Sequence, residues 1–84
     1  MHPMTMIVVK AAYDDEAGVW FIESSDMAGL NLEARSIEEL RDMLPGAILD
    51  LLEAEDGDGG QGDLDVPIEL IAHASTRLRS HVPA

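Results

Sequence analysis

Eighty-four residues, 46 % hydrophobic and 26 % charged, suffice for one small folded domain and exclude a second. Seventeen acidic residues against five basic ones set a formal net charge of −12, which excludes a surface built to grip nucleic-acid phosphates and leaves two readings open: a basic protein partner, or charge that keeps the chain soluble. Cysteine is absent, so neither disulfides nor a thiolate zinc site can supplement the core, and no basic segment leads into an apolar run of membrane-spanning length, so the expected location is the cytoplasm, away from membranes.

Met4 to Tyr13 is rich in β-branched and apolar residues and too short for an amphipathic helix, which predicts a first strand. Asp14-Asp15-Glu16-Ala17-Gly18 has hairpin-loop chemistry, ending on the residue that tolerates positive φ. Val19 to Ser24 follows as a second, antiparallel strand. After the turn Asp26-Met27-Ala28-Gly29, alternation resumes with Leu30, Leu32 and Ala34 facing one way and Asn31 and Glu33 the other, a third strand with one wet face.

Ser36-Ile37-Glu38-Glu39 is a capping box: the Ser36 hydroxyl accepts from the Glu39 amide while the Glu39 side chain reaches back to the Ser36 N–H. In the helix it opens, Ile37, Leu40, Met43, Leu44, Ala47, Ile48, Leu51 and Leu52 share one half of the circumference. Pro45-Gly46 predicts a kink, or a break into two shorter helices, because the proline ring displaces the bond to the Arg41 carbonyl. Glu55 to Asp65 has four glycines and little to bury, so it reads as a mobile connector. Val66 to His73 alternates as a fourth strand, with Pro67 suited to a first or edge position, and Thr76 to Ala84 reads as a frayed, weakly basic tail.

This order describes an α+β domain, β-β-β-α-β, with a three-strand antiparallel meander and a right-handed crossover that lays the fourth strand parallel to the first. The sheet order is then 3-2-1-4. The two central strands are apolar on both faces: Ile7, Val9 and Ala11 against Met6, Val8 and Ala12, and Trp20 and Ile22 against Val19 and Phe21. One helix can cover one face. The other must meet water, a second copy or a different protein, unless the helix breaks and wraps it; the expectation is self-association as a homodimer or higher even oligomer.

Motifs for chemistry are weak. Counted from Asp56, an EF-hand loop needs Gly and Glu where this chain has Gln61 and Pro67, and Gly59-Gly60-Gln61-Gly62 is a single copy of what calcium-binding repeats use many times. His2, His73 and His81 have no zinc-site spacing, and Ser24, Ser25, Ser75 and Ser80 lack a nucleophile elbow. Asp14, Glu23 and Asp26 could hold magnesium in a catalytic remnant, but the bases that would bind a polyanionic substrate are missing. No enzyme, cofactor, metal site or direct contact with nucleic acid is expected.

Four stretches resemble HicB-like antitoxin domains and the small bacterial family of unknown function grouped with them: Val19-Trp20-Phe21-Ile22; Asp26-Met27-Ala28-Gly29-Leu30, similar to a D-x-P-G-L/C turn with Ala28 in place of proline; Glu33 to Leu40, similar to a G-D-T-x-E-E-A helix entry; and Val66 to Ala72. The resemblance, spanning Met6 to Arg79, implies a partial RNase H-like fold without the nuclease carboxylates. It also implies a role in masking a small, basic, mRNA-cleaving toxin of the HicA type. No helix-turn-helix or ribbon-helix-helix segment follows Arg79, so operator binding is not implied.

The resulting expectation is a non-enzymatic protein-binding domain, an antitoxin in its sharpest form. Trp20 and Ile22 are candidate partner or dimer contacts with intramolecular core as the alternative, and Asp14, Asp15, Glu16 and Asp26 are a candidate acidic edge or merely a solvated one. The reading from a different class is a stand-alone small-molecule or ion-binding module, or an orphan domain without a toxin.

Overall fold

The computed structural model describes residues 6–56, 65–81 and 83. Strands β1 (Ile7–Asp14), β2 (Val19–Ser25) and β3 (Glu33–Ala34), helix α1 (Ile37–Asp56) and strand β4 (Ile68–His73) follow in that order. The sheet runs β3-β2-β1-β4, with β1 antiparallel to β2 and parallel to β4, as the meander and crossover require. Residues 4–5 of the expected first strand and most of the expected Gly/Asp-rich connector lie outside the described residues.

The hairpin between β1 and β2 closes on Asp14. Its Oδ1 accepts from the amides of Glu16 (3.0 Å) and Ala17 (3.2 Å), its carbonyl accepts from Gly18 N–H (2.8 Å), and Gly18 takes φ 71°, where a side chain would be strained. At the other end of β2, Asp26 grips β1 twice: its amide donates to the Val8 carbonyl (3.1 Å) and its Oδ2 accepts from the Val8 amide (2.9 Å). Ser25 turns the chain, its Oγ donating to the Met27 carbonyl (2.7 Å) and accepting from the Met27 amide (3.0 Å), which delivers the Met27 side chain into the core.

The third strand is shorter than its alternation predicts. Only Glu33 and Ala34 pair in register with β2; the Leu32 carbonyl adds one bond from the Ile22 amide (3.3 Å), and Leu30 and Leu32 pack on the core from outside the strand. Burial produced the alternation there, and the ladder follows it only as far back as the Leu32 carbonyl. In β4, Pro67 has no N–H to give, so the strand begins at Ile68, although the Pro67 carbonyl still accepts from the Ile7 amide (3.0 Å).

At the head of α1, the Glu39 amide donates to Ser36 Oγ (3.1 Å) as a capping box requires, but the Glu39 carboxylate accepts from the Arg35 amide (3.0 Å), not from that of Ser36. Arg35 carries the first amide freed where β3 ends, and it takes the acceptor. The expected break at Pro45 does not occur, since α1 runs unbroken for 20 residues. Pro45, Gly46 and Arg41 all lie on the exposed side, so the carbonyl deprived of its donor faces water, while Leu40, Leu44 and Ile48 anchor the helix on either side of the proline.

Those three side chains meet Ile7, Val9 and Ala11 of β1, all at 3 % exposure or less. Ile22 of β2 and Ile68 and Leu70 of β4 fill in around them. Among the described residues no buried side chain is polar or charged, so this core depends on apolar packing alone.

Candidate interaction surface

Alternation along β1 sends Ile7, Val9 and Ala11 toward α1 and therefore Val8, Lys10 and Ala12 to the opposite face. On β2 the alternation is interrupted: Lys10 pairs with Ser24 but Ala11 with Ile22, leaving Glu23 as the extra residue of a bulge. Pairing with Ala11 and Tyr13 places Ile22 and Trp20 on the helix side, and pairing with Ala12 and Asp14 places Phe21 and Val19 on the open side. On β4 the parallel register sets Glu69, Ile71 and His73 beside Val8, Lys10 and Ala12. Below the sheet, opposite α1, lies a face of Val8, Ala12, Val19, Phe21 and Ile71, with Lys10 at its centre and Glu33 and Glu69 at its sides.

Ala12 is only 8 % exposed, although the helix is on the other side. Its two neighbours across the ladders are Phe21 and His73, and the His73 ring reaches Glu23 Oε1 at 2.8 Å. β2 and β4 both flank β1, about 10 Å apart, so the Glu23 and His73 side chains span β1 from either side and roof Ala12. The bulge makes this bridge possible by giving Glu23 a place outside the regular alternation. In sequence Glu23 and His73 lie 50 residues apart, and only the β1–β4 register brings them together.

Trp20 and Ile22, read as candidate contacts or as core, are half-buried and pack against the two core clusters under α1. Trp20 also stacks obliquely on Tyr13, with centroids 5.2 Å apart and planes at 57°. The open apolar face is formed instead by their sequence neighbours. Asp14, Asp15 and Glu16 gather at the hairpin, whereas Asp26 sits beside Val8, about 20 Å up β1 from Asp14, so the four acids do not form one edge. An open crevice lined by Asp15, Ser75, Thr76, Arg77 and Arg79 lies next to the hairpin acids.

Among the described residues no three His, Asp or Glu side chains converge as metal ligands, and no helix is long and apolar enough to cross a membrane. The three carboxylates with a conceivable magnesium role are engaged structurally: Asp14 caps the hairpin, Glu23 bridges to His73, and Asp26 holds Val8.

Residues 6–82 match the family described as a domain of unknown function, DUF1902. The chain belongs to this family. It is also similar to a hypothetical protein, TTHA1013, of the extremely thermophilic bacterium Thermus thermophilus, at 40 % identity over 89 % of this chain and 99 % of that one, with a TM-score of 0.59. No curated protein matches the chain. The DUF1902 match takes in the hairpin, the helix and β4, so the family shares the strand that completes the open face as well as those that carry the core.

Proposed function

We propose that this DUF1902 domain is a non-enzymatic protein-binding module: its open sheet face takes a second copy, and its acidic surface masks a small basic protein, in the manner of a HicB-like antitoxin. The observation that carries the reading is the face of Val8, Val19, Phe21 and Ile71 around Lys10, left uncovered by the single helix of a chain with net charge −12. Apolar side chains left on the surface of so small a domain are unfavourable in water and favourable against protein. The outer side of α1 adds Glu38, Glu39, Asp42, Asp50 and Glu53, all exposed, as a surface on which a cationic partner gains affinity and association rate. Committing Asp14, Glu23 and Asp26 to structural bonds supports a binding role over a catalytic one.

The test is affinity capture from the native cell at low salt. The reading expects one small basic protein, shed at high salt, whose RNA-cleaving activity the purified domain suppresses at equimolar ratio. Retention of no basic protein, or of one whose activity the domain leaves untouched, overturns the antitoxin role.

A further inference from the structure

We infer that β4 is an edge through which two copies join: its outer side pairs antiparallel with β4 of a second copy about Ile71, so that two four-stranded sheets continue into one. This contact is made at the edge of the sheet, is separate from the open-face contact proposed above, and does not depend on it.

The direction of each backbone group on β4 follows from its register with β1. The Ile7 amide donates to the Pro67 carbonyl, and the parallel pairs Ile7–Ile68, Val9–Leu70 and Ala11–Ala72 then turn the backbone groups of Glu69, Ile71 and His73 inward to β1. The amides and carbonyls of Ile68, Leu70 and Ala72 point outward. Among the described residues no strand lies beyond β4, and residues 74–81 run on exposed without pairing.

The two edges of the sheet are protected unequally. At one edge β3 is only two residues long, too short to template a partner. At the other, β4 offers six residues in unbroken register with β1, with no bulge and no lysine. Pro67 precedes the strand, and its missing N–H belongs to the inward set, so the outer side keeps every donor. The helix does not extend over this edge: Ala72 is exposed, although Ala11, its neighbour on β1, is fully buried beneath α1.

The edge is also complementary to itself. Twofold pairing about Ile71 sets the outward backbone groups of Leu70 against those of Ala72 in the second copy, for about four hydrogen bonds. It brings Ile71 against Ile71 and, twice over, Glu69 against His73, all in the pairing class whose side chains lie closest. Glu69 enters no ion pair among the described residues, and His73 engages Glu23 through Nε2, leaving Nδ1 for this contact. Centring the twofold on Leu70 or Ala72 instead would set Glu69 against Ile71 or Ser75 and lose the charge match. The favoured register keeps both helices on one side of the joined sheet and merges the two open faces on the other.

The experiment is sedimentation equilibrium of the full-length chain at micromolar concentrations beside Ala72→Pro and Val19→Asp, with circular dichroism to show that each is folded. Ala72→Pro removes an outward N–H and sets its ring where the second strand would lie, while the bonds that Ile71 and His73 make to β1 remain. It is expected to halve the mass, from two chains of 9.1 kDa to one, or from four to two where the open faces also pair. Val19→Asp, on the open face two strands from β4, halves the mass only if that face pairs. Because the chain has no cysteine, a copy carrying Leu70→Cys can be oxidised cleanly with a differently tagged copy carrying Ala72→Cys. Both positions are on the helix side, out of reach of an open-face contact, and a disulfide joining the tags is expected. This disulfide alone decides if Ala72→Pro does not fold. An unchanged mass for folded Ala72→Pro, with no cross-tag disulfide, overturns the edge pairing and leaves the open-face contact to be judged by Val19→Asp. If Ala72→Pro halves the mass and Val19→Asp does not, the edge pairing stands and the open-face contact falls. A parent that sediments at the mass of one chain overturns both.

Discussion

The two faces of β1 are built from nearly the same residue types and have different fates. Ile7, Val9 and Ala11 are sealed under α1 at 1 % exposure or less, while Val8, Lys10 and Ala12, interleaved with them, look out from the opposite side. The difference comes from supply: one amphipathic helix has one apolar side, and three residues of its row, Leu40, Leu44 and Ile48, are consumed by one face. The sealed face determines whether the chain folds, and the open face is the one proposed above to make contact with a partner. Substitutions on the two should therefore be separable by measurement.

Leu40→Ala should produce the largest effect. Leu40 is fully buried between β1, β3 and the start of α1, so truncation removes its transfer energy and leaves a cavity, a loss of about 2–5 kcal/mol in urea or thermal unfolding. In a domain this small such a loss can abolish the folded state. A loss below about 1 kcal/mol would mean that the core is shared differently from the packing described, and would break the contrast at its stronger side.

Ile71→Asp tests the weaker side. Ile71 is 40 % exposed and stands beside Lys10, so a carboxylate there costs the isolated fold little, within about 0.5 kcal/mol. Placed within the proposed contact between copies, it should weaken that association by about tenfold to a hundredfold, read by light scattering across a dilution series. Equal association of variant and parent would move the interface off this face.

Pro45→Ala sharpens the account of the helix. Proline in a helix interior costs about 3 kcal/mol relative to alanine, but its restricted unfolded chain returns part of this, and here the orphaned Arg41 carbonyl faces water. A gain of about 1–2 kcal/mol in unfolding free energy is expected. No gain would show that the helix has adapted its backbone to the proline elsewhere.

Strand order, the hairpin and the helix start are legible in the sequence because each has a local cause: Gly18 for the turn, Ser36 for the cap, and the length of the α1 crossover for the parallel pair. Which face the helix takes is not legible, because β1 is apolar at both odd and even positions and period-two alternation is silent when both phases are greasy. The bulge at Glu23 conceals more. Val9 pairs with Ser25 and Ala11 with Ile22, so the phase of β2 shifts between them, and no residue in Glu23-Ser24-Ser25 announces the slip. Without that register, Trp20 and Ile22 are as good candidates for the open face as Val19 and Phe21. Propensity also overstates β3, since burying Leu30 does not require it to pair and Leu32 meets β2 through its carbonyl alone.

The smallest expected effect belongs to the bridge over Ala12. Glu23 and His73 are each about half exposed, 47 % and 55 % at the side chain, so their coupling should resemble that of other solvated pairs, about 0.2–1 kcal/mol in a double-mutant cycle of Glu23→Gln and His73→Ala. The value of the measurement lies in its geometry. The two side chains span a strand to reach each other, so a finite coupling confirms that the bulge on β2 and the register of β4 hold in solution. Amide exchange at Ala12 should rise in either single variant as the roof opens. A cycle that closes to zero, with unchanged exchange, would assign the burial of Ala12 to Phe21 alone and leave Lys10 as the polar group at the middle of the open face.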